Sequence, residues 1–239
     1  MSASLATATV ATRVRRIAWH WILACAFLSV TPAFGADYAF WQPTAKRDKN
    51  FAFEISSFDS VWNYEGADVD TRVERVGINW QETLSPKFHG GVNLGWINVT
   101  EFSSPIVEGG TIPGYFVGID LRGLLIAQPR FQLATRLSAT YNNALGGNDA
   151  ALEELSWYDI EVALTAQIIL GEHVGLYGGG SLAALDGRRS GDTTIAFESK
   201  ESESAFVGLD LRVDRSGHIG FQVQTGRLEG GLLYFRRWF

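Results

Sequence analysis

The feature that most constrains this chain is a period-two alternation of apolar and polar residues along most of its length. From Leu155 to Ile169, Tyr158, Ile160, Val162, Leu164, Ala166 and Ile168 alternate with Asp159, Glu161, Thr165 and Gln167. Gly114 to Leu125 repeats the pattern, with Tyr115, Val117, Ile119 and Leu121 set against Phe116, Gly118, Asp120 and Arg122. Successive side chains of a strand point to opposite faces, so each run presents one apolar and one charged face; a helix would scatter both sets around its circumference. Ten such runs can be marked, near 51–59, 71–82, 90–99, 114–126, 131–141, 155–169, 174–184, 203–214, 219–226 and 231–239. Each is roughly the 9 to 11 residues a tilted strand needs to cross a bilayer, or slightly longer. The expectation is an all-β, antiparallel up-and-down transmembrane barrel of ten strands, with eight as the alternative count.

The first 36 residues read differently. Arg13, Arg15 and Arg16 precede an apolar stretch from Ile17 to Val30, followed by Thr31-Pro32-Ala33-Phe34-Gly35-Ala36. This is the layout of a cleavable secretory signal peptide ending at Ala36, because about 14 apolar residues fall short of the roughly 20 a spanning helix needs. Residues 37–50 are read as a periplasmic N-terminal segment and 51–239 as the barrel. Cleavage removes the only Cys and the only Met, so a disulfide framework and a cysteine metal site drop out, and no cofactor is implied. Losing three basic and no acidic residues takes the net charge from −6 to −9, which argues against a nucleic-acid partner.

The connections between runs sort into two kinds. Those at 60–70, 100–113, 142–154 and 185–202 are long and rich in Gly, Asp, Glu and Ser, while 83–89, 127–130, 171–173 and 215–218 are short. Long external loops alternating with tight periplasmic turns characterise such barrels. The ninth connection, Arg227 to Gly230, breaks the rule by being short. Aromatic residues favour the two water–lipid boundaries; Trp62, Tyr64, Tyr115, Phe116, Tyr141, Trp157 and Tyr158 fall near external strand ends, and Trp80, Phe131, Trp238 and Phe239 near periplasmic ends.

The signal, the alternation and the last strand, Gly230-Gly231-Leu232-Leu233-Tyr234-Phe235-Arg236-Arg237-Trp238-Phe239, together resemble small Gram-negative outer-membrane β-barrels of the OmpA and OmpX kind. The resemblance is architectural and covers most of 51–239. It implies residence in the cell outer membrane, contact with membrane lipid and lipopolysaccharide, and recognition of the C-terminal strand by the barrel assembly machinery through Leu233, Phe235 and Phe239. Arg237 departs from the apolar alternation expected there; near the interface its head group can snorkel to water.

On the polar faces, acidic Glu54, Asp120, Asp159, Glu161 and Asp210 are nearly matched by basic Arg75, Arg122, Arg136 and Arg212. Buried charges demand partners, so these residues are expected to form an ion-pair network across the lumen, structural or gating. Eight strands give an interior that side chains fill and porin channels need about 16 to 18, which puts ten near the filled end. Phe116-Val117-Gly118-Ile119-Asp120-Leu121-Arg122 recurs as Phe206-Val207-Gly208-Leu209-Asp210-Leu211-Arg212, so the two Asp/Arg pairs are expected to do equivalent work or to share only strand composition. Gly178-Gly179-Gly180 lacks the Lys-Ser/Thr of a phosphate loop and is read as room for a large neighbour or a bend.

Catalysis finds little support. Barrel hydrolases such as omptin proteases and lipid A deacylases place histidine and carboxylate or serine at the external rim. Here His89, His173 and His218 all fall in or beside periplasmic turns, and Asp59, Asp68 and Asp70 read as solvated loop charges. The leading expectation is a non-enzymatic barrel with an occluded charged lumen and a structural or surface-interaction role. A narrow porin-like solute or ion channel, a soluble periplasmic β-sandwich binding protein and an external-rim hydrolase are the alternatives.

Overall fold

The structure is a computed structural model that describes residues 49–102, 109–148, 151–191 and 193–239, without the side chains of 147, 148, 151 and 152. The signal peptide, and the segment 37–50 up to residue 48, lie outside the described residues; Lys49 and Asn50 already belong to the first strand. Eleven strands follow: β1 (Lys49–Tyr64), β2 (Ala67–Ser85), β3 (Phe88–Glu101), β4 (Gly110–Gln128), β5 (Phe131–Asn148), β6 (Ala151–Leu170), β7 (Val174–Ser190), β8 (Thr194–Ser199), β9 (Glu203–Arg212), β10 (Gly217–Gly226) and β11 (Glu229–Trp238). All pair antiparallel, and β11 returns to β1 from Asn50↔Trp238 to Asp59↔Glu229, closing the sheet on itself.

The ring is built in two storeys. At the end bearing the short turns, β7 pairs with β9 from Val174 to Leu182, and the wall runs through β9, β10 and β11 to β1. Ten strands close that storey. Toward the other end β9, β10 and β11 stop, and β8 alone bridges the gap, pairing Asp186–Ser190 of β7 on one side and Trp62–Tyr64 of β1 on the other. Eight strands close the second storey. The short connection at Arg227 is thereby explained: β10 and β11 turn back beneath β8.

This corrects the expectation of long external loops at 60–70, 142–154 and 185–202; of the loop expected at 100–113, residues 103–108 lie outside the described residues. Residues 60–70 are strand except for a tight turn at Glu65-Gly66, where both residues have positive φ. Residues 142–148 and 151–154 are strand, and 185–202 carry β8. Much of the hydrophilic composition read as loop belongs to the outer faces of these strands, whose inner faces carry Trp62, Tyr64, Val69, Val73, Leu155, Trp157 and Phe197.

Strand β2 shows how the faces exchange. Its outward residues from the turn end are Leu84, Glu82, Trp80, Ile78 and Val76, then Glu74, Arg72, Asp70 and Asp68; its inward residues are Gln81, Asn79, Gly77 and Arg75, then Val73, Thr71 and Val69. Strand β6 does the same, passing outward from Ile160 and Tyr158 to Ser156 and Glu154, and inward from Glu161 and Asp159 to Trp157 and Leu155. The turn-end storey is therefore apolar outside and polar inside, as lipid requires, and the other storey is polar outside and apolar inside, as water requires. Outward Trp96, Tyr115, Tyr141 and Tyr158 mark the change, Trp96 opposite Tyr115 and Tyr141 packed against Tyr158 with their rings tilted by 45° at 5.0 Å between centroids. Trp62, Tyr64, Phe116 and Trp157, assigned to this girdle from sequence, point inward instead. Trp238 is likewise buried, beside His89 at the turn end.

Inward aromatic rings lie over glycines of neighbouring strands. Tyr234 covers Gly220, Tyr177 covers Gly208, Phe197 covers Gly187, Phe206 covers Gly179 and Phe116 covers Gly77; a Cβ at any of these glycines would collide with the ring. Glycine is required here for close approach, and Gly179 is the middle glycine of the triplet noted above.

Candidate functional site

The interior is the candidate site, and its two parts do different things. In the eight-stranded storey Trp62, Trp157, Phe197, Val69, Val99, Ile97 and Leu155 form one buried apolar cluster. Trp62 stacks on Phe197 at 4.7 Å and lies 5.2 Å from Trp157. A six-residue strand is thus anchored by one ring stacked on Trp62, with Trp157 packed against the pair at 6.4 Å from Phe197. Over this cluster, at the open rim, the Tyr64 hydroxyl donates to Glu101, and Arg189 donates to Glu101 and, at 2.5 Å, to Glu153. These four residues come from β1, β3, β7 and β6, so a polar roof ties four staves together above the apolar plug.

Below the plug lies the charged section. Asp120 accepts from Asn79 and Gln81, both at 3.0 Å, and from Arg122 at 3.2 Å. Asp159 accepts two bonds from Arg227 at 3.2 Å, and Glu161 lies 3.7 Å from the same guanidinium. Arg75 donates to Asn142 at 3.2 Å and lies over the Phe116 ring at 5.6 Å, where the polar section meets the apolar one. Arg136 stands in the field of Glu161, Asp120, Glu54 and Asp159, and Glu54 also faces Arg122 and Arg236. The cavity beside His89, Arg122, Arg236 and Trp238 at the turn end holds only about 20 Å³.

Of the lumen residues expected from sequence, Glu54, Arg75, Asp120, Arg122, Arg136, Asp159 and Glu161 all lie on inward strand faces; Asp120 and Arg122 meet each other, while Asp159 and Glu161 meet Arg227 and Arg75 meets Asn142. Asp210 is inward and buried, but its neighbour is His218 at 3.4 Å. Arg212 is corrected: as the last residue of β9 it turns to the Asp214 carbonyl oxygen at 3.1 Å, where water reaches it, and takes no place in the lumen network. The repeat around Asp120 and Asp210 therefore shares position and the ring-over-glycine packing, while its Asp/Arg pairing holds only in the first copy. Arg227 and Arg236 were missed. Arg227 sits in a connection, and Arg236 sits in a strand read for its other face, which also hid its stacking on Tyr234 at 4.9 Å.

The remaining sequence candidates are placed as follows. Leu233 and Phe235 face outward, and Phe239 follows them, its N–H donating to the Lys49 carbonyl to complete the β11–β1 seam. His89, His173 and His218 all lie at the turn end: His89 meets Thr83 at 3.2 Å, and His173 meets the Arg212 carbonyl at 3.3 Å. Asp59 takes a bidentate contact from Arg72 at 2.7 and 3.1 Å, and Asp68 accepts from Asn63 at 2.8 Å and Lys200 at 2.6 Å. Hydrogen bonding to Asp68 holds the Lys200 ammonium above its ordinary range.

No family model matches this chain, and no curated protein sequence does. Solved structures do. It is similar to the outer membrane protease OmpT from Escherichia coli, with a TM-score of 0.50 at 8% identity over 83% of this chain and 98% of that one. OprG from Pseudomonas aeruginosa aligns with a TM-score of 0.41 at 9% identity, over 85% and 99% of the two chains. Ail, the attachment invasion locus protein of Yersinia pestis, aligns with 0.40 at 10% identity, over 80% and 98%. Such identities speak of fold alone. The structural neighbours are small Gram-negative outer-membrane β-barrels, and the chain shares their all-β closed architecture.

Proposed function

We propose that the chain is a non-enzymatic outer-membrane barrel with a closed lumen, whose work is done by the eight-stranded storey projecting from the bilayer. The observation that carries this reading is the exchange of faces. A lipid-facing belt of about 9 to 11 residues per strand suits the hydrocarbon core, and the polar-faced storey beyond the aromatic girdle suits water. The plug of Trp62, Trp157 and Phe197 leaves that storey a filled body. The turns bearing His89, His173 and Arg215 then face the periplasm, and the Tyr64–Glu101–Arg189 roof faces outward. In this reading lipid and lipopolysaccharide contact the belt, and the assembly machinery reads Leu233, Phe235 and Phe239.

Planar-bilayer recording tests the closure: the purified barrel should insert without unitary conductance between large positive and negative voltages. A steady open level in the wild type would overturn the occluded reading in favour of a narrow channel. Fractionation tests the location, since recovery in the soluble periplasm without detergent would remove the membrane assignment altogether.

A further inference from the structure

The outer wall carries a trough just below the step at which β10 and β11 turn back beneath β8. Two rungs of outward residues border it. On the lower rung Phe221, Leu233, Ile55, Val76 and Trp96 stand side by side on β10, β11, β1, β2 and β3, each the register partner of the next. On the upper rung, two residues nearer the projecting storey, Gly231, Ser57, Glu74 and Asn98 follow in the same way. The strand backbone is bared where Gly231 meets Ser57, and the trough there measures about 480 Å³. It straddles the level at which β2 passes from Val76 to Glu74, with apolar walls on the lipid side and polar groups on the water side.

Internal packing does not account for the glycine. The rings that demand Gly187, Gly208 and Gly220 lie inside the barrel, whereas Gly231 faces out, and a Cβ there would meet the Gln222 carbonyl oxygen at 3.3 Å and the Phe221 ring at 3.7 Å. A shift of a few tenths of an ångström would admit it. Nor does Gly231 have the positive φ of its neighbour Gly230. Glycine weakens a strand interior and often marks where a ligand comes close to the backbone; here neither a ring nor the backbone conformation requires it. Charge gives a second, independent pointer. One rung higher, Asp59 and Arg72 neutralise each other in a bidentate contact. Glu74, and Glu229 opposite Asp59, therefore leave the water-side edge net negative.

We propose that the trough holds one glycerophospholipid with a primary-amine head group. An acyl chain lies over Gly231, between Phe221 and Leu233 on one side and Ile55 and Val76 on the other, with the Trp96 ring as an end wall. The ammonium pairs with Glu74, and the ester and phosphate oxygens accept from the Asn98 amide and the Ser57 hydroxyl. A volume of this size lies within the range of ligand clefts, and the trough opens directly onto hydrocarbon. A lipid with a purely anionic head would instead set its charge against Glu74 and Glu229. The proposal rests on the reading of the belt as lipid-facing and names which lipid that belt selects at this one place.

The test is native mass spectrometry of the purified full-length barrel in neutral detergent, titrated with phosphatidylethanolamine or with phosphatidylglycerol of the same acyl chains. Saturable retention of one phosphatidylethanolamine is expected, with phosphatidylglycerol held about tenfold more weakly, as one charge contact implies. Glu74→Gln, an exposed change, should erase that preference. Gly231→Phe, which fills the trough, should abolish retention of either lipid, while Leu164→Phe on the lipid face of β6 should change nothing. Each variant is first checked for the compact electrophoretic mobility of a folded barrel, and if Gly231→Phe does not fold, Glu74→Gln alone decides. Equal retention of the two lipids, a preference that survives Glu74→Gln, or unchanged retention in folded Gly231→Phe would overturn the proposal. So would a wild-type dimer that Gly231→Phe dissociates, since a second copy would then fill the trough. Location is scored separately: recovery in the soluble periplasm removes the membrane reading, and a membrane-bound barrel that retains no phosphatidylethanolamine sinks only the trough.

Discussion

Arg227, in the turn joining β10 to β11, spans the lumen to Asp159 on β6, both of its terminal nitrogens lying 3.2 Å from one carboxylate oxygen. The guanidinium is almost wholly buried and also faces Glu161. It thus ties the shortened β10–β11 hairpin to the opposite wall at the level of the step. Removing one member of a buried pair leaves the other uncompensated, at a cost of about 3–5 kcal/mol. Arg227→Met should therefore lower the urea midpoint of the barrel sharply, and adding Asp159→Asn should restore part of the loss. Equal midpoints for wild type and Arg227→Met would show that the contact contributes nothing.

Gly220 lies beneath the Tyr234 ring, and a methyl group there must displace it. Overpacking of this kind costs about 1–3 kcal/mol. Gly220→Ala is expected to destabilise the barrel by that amount in equilibrium unfolding. Gly110→Ala, where nothing lies within 4 Å, should be neutral by comparison.

Phe197 holds β8 in place by stacking on Trp62. Truncating a buried phenylalanine costs about 3–5 kcal/mol, and here the loss falls on a strand joined to β1 by only three residue pairs. Phe197→Ala should open the segment 194–203 to limited proteolysis while the ten-stranded storey stays folded and membrane-bound. Proteolysis no faster than in the wild type would mean that β8 is held by its backbone pairing alone.

Asp214 organises the turn before β10 by accepting from the backbone N–H groups of Ser216 and Gly217 at 2.6 and 2.7 Å and from the Ser216 hydroxyl at 2.9 Å. The Ser216 and Gly217 amides push its carboxyl from 3.8 down to about 2. A depressed carboxyl stabilises the fold above its unfolded value, and that contribution is lost as pH falls through the folded one. The advantage of the wild type over Asp214→Asn should be constant near neutrality, shrink below about pH 4 and vanish below about pH 2, read as the difference between their unfolding midpoints.

Much of the turn-end storey is legible in the sequence because each strand there obeys one rule, apolar toward lipid and polar toward the lumen. Asp159, Glu161, Asp120 and Arg122 declare their face by alternating with Ile160, Val162, Ile119 and Leu121. The other storey hid for the same reason. At Trp62, Tyr64, Val69 and Val73 the alternation persists with its sense inverted, and Asp68 and Asp70 between them look like loop charges. β8 was hidden further, since six residues flanked by Gly191 and Lys200 carry too few alternations to stand out from a hydrophilic connector. Arg227 could be placed only by knowing that β10 and β11 end low, a property of the closed ring rather than of any local segment. Glycine offered a usable signal: Gly179, Gly187, Gly208 and Gly220 each mark where a neighbouring ring must lie.

The exchange of faces along β2 and β6 fixes how deep the barrel can float. Sliding it outward by one residue pair would lift Val76 and Ile160 into water, and sliding it inward would draw Glu74 and Ser156 into hydrocarbon. Both directions are opposed, because the inner faces change character at the same level and offer no slack to compensate. Such a body has a single waterline, and a bilayer thicker or thinner than its belt must deform to meet it. The protein should therefore partition among vesicles of graded acyl-chain length with a sharp optimum, as a gauge of hydrophobic thickness would.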